Sequence, residues 1–157
     1  MTIESERQLF ERKLEEYYGV QNALDDLQPE LASNATDQDV ADFFASHHEA
    51  TRAQRDRAED VFDAINAEPS GRDPATLEGI LEVHEAVVAD IERSDLADFE
   101  TTETGKAVER LEITQLEALL VLADRIDLDA DGTDALEQNK LEAEDGLETL
   151  RDLSESY

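Results

Sequence analysis

Cysteine is absent from this chain of 157 residues, which excludes disulfides, thiolate catalysis and Cys-rich zinc or iron–sulfur sites. Lysine is nearly as scarce: Lys13, Lys106 and Lys140 are the only three, and with arginine they make 13 bases against 42 acids. Beyond the local group Arg52, Arg55 and Arg57 there is no basic patch, so neither nucleic acid nor anionic lipid is an expected partner. No apolar run approaches membrane-spanning length. The start, Met-Thr-Ile-Glu-Ser-Glu-Arg, carries acids and lacks the basic start and apolar run expected of a signal peptide. No segment alternates with period two, so no sheet is expected.

What the chain has in excess is acid, with a net charge of -29. Self-repulsion of that size strains a compact fold in dilute buffer, whereas molar salt shortens the Debye length to about 3 Å and removes most of the penalty. The composition therefore reads as a cytoplasmic protein of a high-salt cell. The acids interleave with periodic Leu, Val, Ile and Phe rather than forming blocks, which argues against a disordered tail. The length suits one domain, residues 1–157, with a sizeable core.

Apolar spacing of three and four marks five helices. The first runs from about Ile3 to Leu31 with Phe10, Leu14, Tyr17, Gln21, Leu24 and Leu31 on one face, and Pro29 near its end. Thr36-Asp37-Gln38-Asp39 offers a capping start for the second, which carries Val40, Phe44, His47, Thr51, Gln54, Ala58, Phe62 and Ile65. The breaker run from Glu68 to Pro74 follows, in which Asp73 can cap and Pro74 can take the first helical position of a short third helix. That helix shows Leu77, Ile80, Leu81, His84, Val87, Val88 and Ile91, and stops before the polar run Glu100 to Thr104. The fourth spans about Thr102 to Ile126 and the fifth about Thr133 to Ser154. Two helical hairpins joined by a long connection with its own helix describe an all-α, ferritin-like four-helix bundle with one crossover.

In the fourth helix Glu112 falls on the stripe of Val108, Leu119, Leu122 and Ile126, where an ionised acid needs a cation, a metal or hydrogen-bond donors. Helical spacing brings Gln21, His47, Thr51, Gln54, Glu112 and Gln115 into one polar layer near the middle of the bundle. Ferritin-like carboxylate proteins bind a metal pair at this level with glutamates from two helices and Glu-x-x-His pairs from the other two, since residues three apart share a helix face. None of His47, His48 and His84 has an acid three or four residues away, so that pair is missing. The fifth helix turns Leu136, Lys140, Ala143, Leu147 and Leu150 inward and Glu142, Glu144 and Asp145 to its sides. One inward carboxylate and one imidazole are too few for two ions. A single ion needs several water ligands or Glu109 turned inward; a hydrogen-bonded network of Glu112 with His47, Thr51, Gln21 or a tyrosine needs no ion. By the same reading Tyr17 is a core aromatic, Tyr18 and His48 lie at the bundle edge, and His84 is packed.

The order of several segments resembles the YciE/YciF-like family, a ferritin-like group associated with stress responses. The segments are Leu14-Glu15-Glu16-Tyr17-Tyr18, Phe44 to Thr51 with Gln54 and Arg57, Pro69-Ser70-Gly71, Thr76 to Leu81, and Val108-Glu109-Arg110-Leu111-Glu112-Ile113. The resemblance implies a metal-binding four-helix bundle, often a homodimer, with Glu16, His47, Glu109 and Glu112 at matching metal positions. Gln21, Ala50, Ala143 and Leu147 stand where the family tends to place an acid, and Arg110 where a histidine is common. It thus implies a di-metal site lost or reduced here, and a structural or interaction role without enzymatic activity. On this reading no cofactor is expected, or iron or manganese where the site is retained. The competing expectation is an oxidase or peroxidase-like enzyme with iron or manganese on Glu112 together with Glu16, Glu109, Glu142 or His47.

Two weaker signals remain. Asp127-Leu128-Asp129-Ala130-Asp131-Gly132 opens like a calcium loop, but Asp134 and Gln138 occupy the eighth and twelfth positions, so an ordinary turn is expected. The spacing of Arg52 to Asp56 and of Arg55 to Glu59 predicts ion pairs along the second helix.

Overall fold

A computed structural model describes residues 2–157. Five helices form, α1 (Glu6–Asn34), α2 (Gln38–Ala64), α3 (Ala75–Ala89), α4 (Ser94–Arg125) and α5 (Ala130–Glu155), with no strand among the described residues. Side chains start three of them. Ser5 accepts the Gln8 amide, Asp37 accepts those of Asp39 and Val40, and Asp129 accepts that of Gly132, each satisfying donors that a helix start leaves open. α3 instead follows Pro74 directly with no side-chain cap, so Asp73 does not play the expected role. α5 begins at Ala130, with Gly132 inside it, and the carboxylate of Asp129 serves that helix start at 2.7 Å.

Each long helix packs on two others, giving the circuit α1, α2, α5, α4, while α3 lies on α4. Phe10, Phe62, Leu119, Ala123 and Leu136 meet at one end of the bundle. Leu31, Val40, Phe44 and Leu150 meet at the other. Every neighbour in the circuit is therefore antiparallel, as in a ferritin-like bundle with one crossover. The crossover returns over α1, where the Arg72 amide donates to the Glu15 carbonyl at 3.0 Å. A side chain at Gly19 would put its Cβ 1.9 Å from the Arg72 carbonyl oxygen, so only glycine lets the two backbones touch there. Leu77 of α3 then fills a side cluster with Val20, Leu24 and Val108.

Several boundaries differ from the sequence reading. α1 starts at Glu6 rather than Ile3 and ends at Asn34 rather than Leu31, and α5 starts at Ala130 rather than Thr133; the hydrogen bond lost to Pro29 is offset by burial of Leu31 against Val40, Phe44 and Leu150. α4 starts at Ser94 rather than near Thr102, because its polar first turns have buried partners. Asp98 accepts the Thr36 amide at 3.0 Å, the Thr36 hydroxyl at 2.6 Å and the Asp37 amide at 2.7 Å. Thr102 donates to the Asp98 carbonyl, and the Thr104 hydroxyl lies 2.9 Å from Nδ1 of His84. A stretch that reads as a polar link thus ties the α1–α2 loop to α4.

Asp98→Ala leaves three donors at that loop without their carboxylate and should cost about 2–3 kcal/mol. Denaturant unfolding in high salt checks this: the midpoint should fall with the slope unchanged, and an unchanged midpoint would show the contact to be dispensable.

Candidate metal centre

Between the two apolar ends lies the polar layer. Gln21 comes from α1, His47, Thr51 and Gln54 from α2, Glu109 and Glu112 from α4, and Asn139 from α5, and all are buried. α4 supplies two inward acids, not one. Its buried face runs Asp98, Thr102, Gly105, Glu109, Glu112, Leu116, Leu119 and Ala123, a strict alternation of three and four, whereas Leu122 and Ile126 are only half-buried. The stripe built on apolar residues alone is rotated slightly from this face, which turns Glu109 inward as a single-ion site needs and as the family resemblance implies. On α5 the inward residue is Asn139; Lys140 is half-buried and pairs with Glu144 at 3.2 Å.

His47, Glu109 and Glu112 each offer one ligand atom, all within 4.8 Å of one another. An ion bound at about 2.1 Å separates opposite ligands by roughly 4 Å, so small inward shifts complete such a site. The Nε2 of His47 lies 2.6 Å from Oε1 of Glu109 yet has no hydrogen-bond partner. Nε2 of Gln21 donates to Oε1 of Glu112 at 2.5 Å. Oε2 of Glu109, Oε2 of Glu112, Oε1 of Gln21 and Oγ1 of Thr51 are buried without a partner. Unpaired buried polar atoms are rare in native interiors, and several in one layer mark an incompletely satisfied centre.

The electrostatics agree. Burial pushes the Glu112 carboxyl up to about 8, with the neighbouring Glu109 adding to it, and burial pushes Glu109 to about 8 as well. Burial pulls the His47 imidazole below its ordinary range against the opposing pull of Glu112, which leaves the ring neutral with a lone pair to offer. Burial, then the charge of Glu112, raises the Tyr17 phenol well above its usual value. Among the described residues no lysine or arginine pairs with Glu109 or Glu112. Imidazole with carboxylates suits iron, manganese or zinc, and a divalent cation would supply the missing positive charge.

The other candidate residues lie elsewhere. Glu16 is at the surface, paired with Arg12 at 3.0 Å and Lys13 at 3.5 Å. Glu142 accepts from Arg57 at 2.7 Å and from Gln138 at 2.8 Å. Arg57 also donates to Asn139, whose amide group reaches the Tyr17 hydroxyl and the Gln54 carbonyl. Arg52 and Arg55 pair across to Asp25 on α1, joined there by His48, rather than along their own helix as the spacing suggests. Asp25 sits opposite all three, so one acid gathers them. Ala50, Ala143 and Leu147 bring no ligand to the layer.

In the folded state the two carboxyls keep their protons to about pH 8, while in an unfolded chain they lose them near 4.5. The folded form then holds more protons across that window, and stability falls as pH rises through it. For metal-free protein the loss from pH 5 to 8 should be about 4 kcal/mol for each carboxyl, roughly 7–8 for the pair, beyond that of Glu109→Gln/Glu112→Gln. Chelator-treated samples melted from pH 5 to 8 check this, and parallel curves for both proteins would contradict it.

Three comparisons bear on what the chain is. It matches YcfI from Rhodopseudomonas palustris with a TM-score of 0.91 at 23% identity over 95% of this chain and 94% of that one. The E. coli stress protein YciF matches with a TM-score of 0.90 at 21% identity over 97% and 96%. At those identities the likeness establishes the fold. No curated protein matches. The model of a domain of unknown function, DUF892, covers residues 5–157, and with nearly the whole chain matched the protein belongs to that YciF-like family.

Proposed function

We propose that this chain is a non-enzymatic, stress-associated ferritin-like protein whose metal centre is reduced to one divalent ion, iron or manganese, held by His47, Glu109 and Glu112. The observation that carries the reading is the set of unpartnered buried atoms on those three residues, two of them acids with no basic partner. Bound there, the ion would supply the charge that lets both carboxylates ionise inside the bundle. The protein's own residues do the rest: Gln21 orients Glu112 through its amide, and Phe43, stacked on the His47 ring at 5.1 Å, fixes the imidazole plane.

A second ion lacks ligands, because Gln21, Ala50 and Ala143 are not acids and Glu16 and Glu142 are engaged elsewhere. The role is then structural, one ion tying α2 to α4 at mid-height, in a protein similar in fold to YciF, which is named as a stress protein. A high-salt cytoplasm and a homodimer belong to the same reading. The first rests on the charge of -29 and the second on family likeness. No helix among the described residues is long and apolar enough to cross a membrane.

Manganese or ferrous iron, added without oxygen, should raise the melting temperature by several degrees, about 2.7 kcal/mol at a hundredfold excess over Kd. Glu112→Gln should remove the shift and Glu16→Gln should keep it. An equal shift in Glu112→Gln, or none in the unmodified protein, would overturn the assignment.

A further inference from the structure

On the outer face between α2 and α5 a groove of about 550 Å³ borders the buried centre. Four acids line it, Asp39, Asp42, Glu142 and Asp145, and no lysine or arginine does. His47 forms part of its wall and also part of a small internal void of about 10 Å³ that touches Glu109, room for about one water-sized particle. The His47 side chain is 8% exposed and its Nε2 has no partner. Gly146 completes the wall. A Cβ there would stand 3.0 Å from Cε1 of His47 and 3.2 Å from Cδ of Glu109, so the missing side chain is what brings the groove against the Glu109 carboxylate.

We infer that this groove is the route by which a divalent cation reaches the centre, drawn in by the acids of the mouth and passed between His47 and Gly146 to Glu109. The inference rests on the proposed metal centre. A cleft lined by one sign of charge raises the local concentration of the opposite ion and its on-rate. The larger cavity, about 700 Å³, mixes Arg12 and Arg72 with Glu15, Glu16 and Asp73 and touches none of the three ligands. It therefore offers a cation no door to the centre.

The test follows cobalt(II) binding by its absorption spectrum in stopped flow. Ser46→Phe/Thr149→Phe narrows the groove with two exposed residues outside the ligand set; it should slow loading and release alike by about tenfold and leave the equilibrium affinity within twofold. Asp39→Asn/Asp42→Asn/Asp145→Asn should slow loading roughly tenfold at the lowest salt at which the protein stays folded, with the difference shrinking in 2 M salt. Ser70→Phe, in that larger cavity, should load normally. Unmodified rates in both groove variants, or slowing by Ser70→Phe instead, would place the route elsewhere and leave the centre standing. Failure of the unmodified protein to bind cobalt at all would overturn the centre, and the route with it.

Discussion

Burying the carboxylates of Glu109 and Glu112 on one face of α4 costs several kcal/mol for each ionised group, and the bundle offers them no lysine or arginine. The rest of the structure is arranged around that demand. Apolar clusters close the layer at both ends, so water cannot solvate it from above or below. Gln21 gives one donor to Glu112, and burial keeps His47 neutral. A neutral ring and one amide would answer only part of two ionised carboxylates, so without a cation burial keeps both acids protonated to about pH 8, and one oxygen of each remains unpartnered.

The crossover and the ends of the bundle hold that layer in register. Gly19 allows the chain after α2 to cross α1 backbone to backbone, which brings α3 onto the α1–α4 face. Asp98 fastens the start of α4 to the α1–α2 loop. Beside the layer, Arg57, Asn139 and Glu142 link α2 to α5, with Asn139 reaching Tyr17 on α1. These polar contacts fix rotation about each helix axis, and rotation decides whether Glu109 faces the interior or the solvent.

Much of this was legible in the residues. Apolar spacing gave five helices and the crossover, and it placed Gln21, His47, Thr51, Gln54 and Glu112 in one buried layer. The family resemblance names Glu109, but the helical stripe leaves out both Glu109 and Asn139 for one reason: a stripe traced only through apolar side chains bends away from polar ones. Reading the seam backward from Ala123 in steps of four and three, whatever the residue, reaches Leu119, Leu116, Glu112, Glu109, Gly105, Thr102 and Asp98, all buried. The early start of α4 follows from the same seam. Ion pairs across helices, such as Asp25 with Arg52 and Arg55, leave no such trace, since they depend on helix packing rather than on spacing along one helix.

The relatives share the fold at low identity, and in this chain the layer holds Gln21, Thr51, Gln54 and Asn139 beside the candidate ligands His47, Glu109 and Glu112. One ion per chain is what the proposed centre calls for. Elemental analysis of protein purified in high salt without chelator tests it most directly. The account expects close to one iron or manganese per chain. Two ions per chain, or none even after reconstitution with either metal, would contradict it.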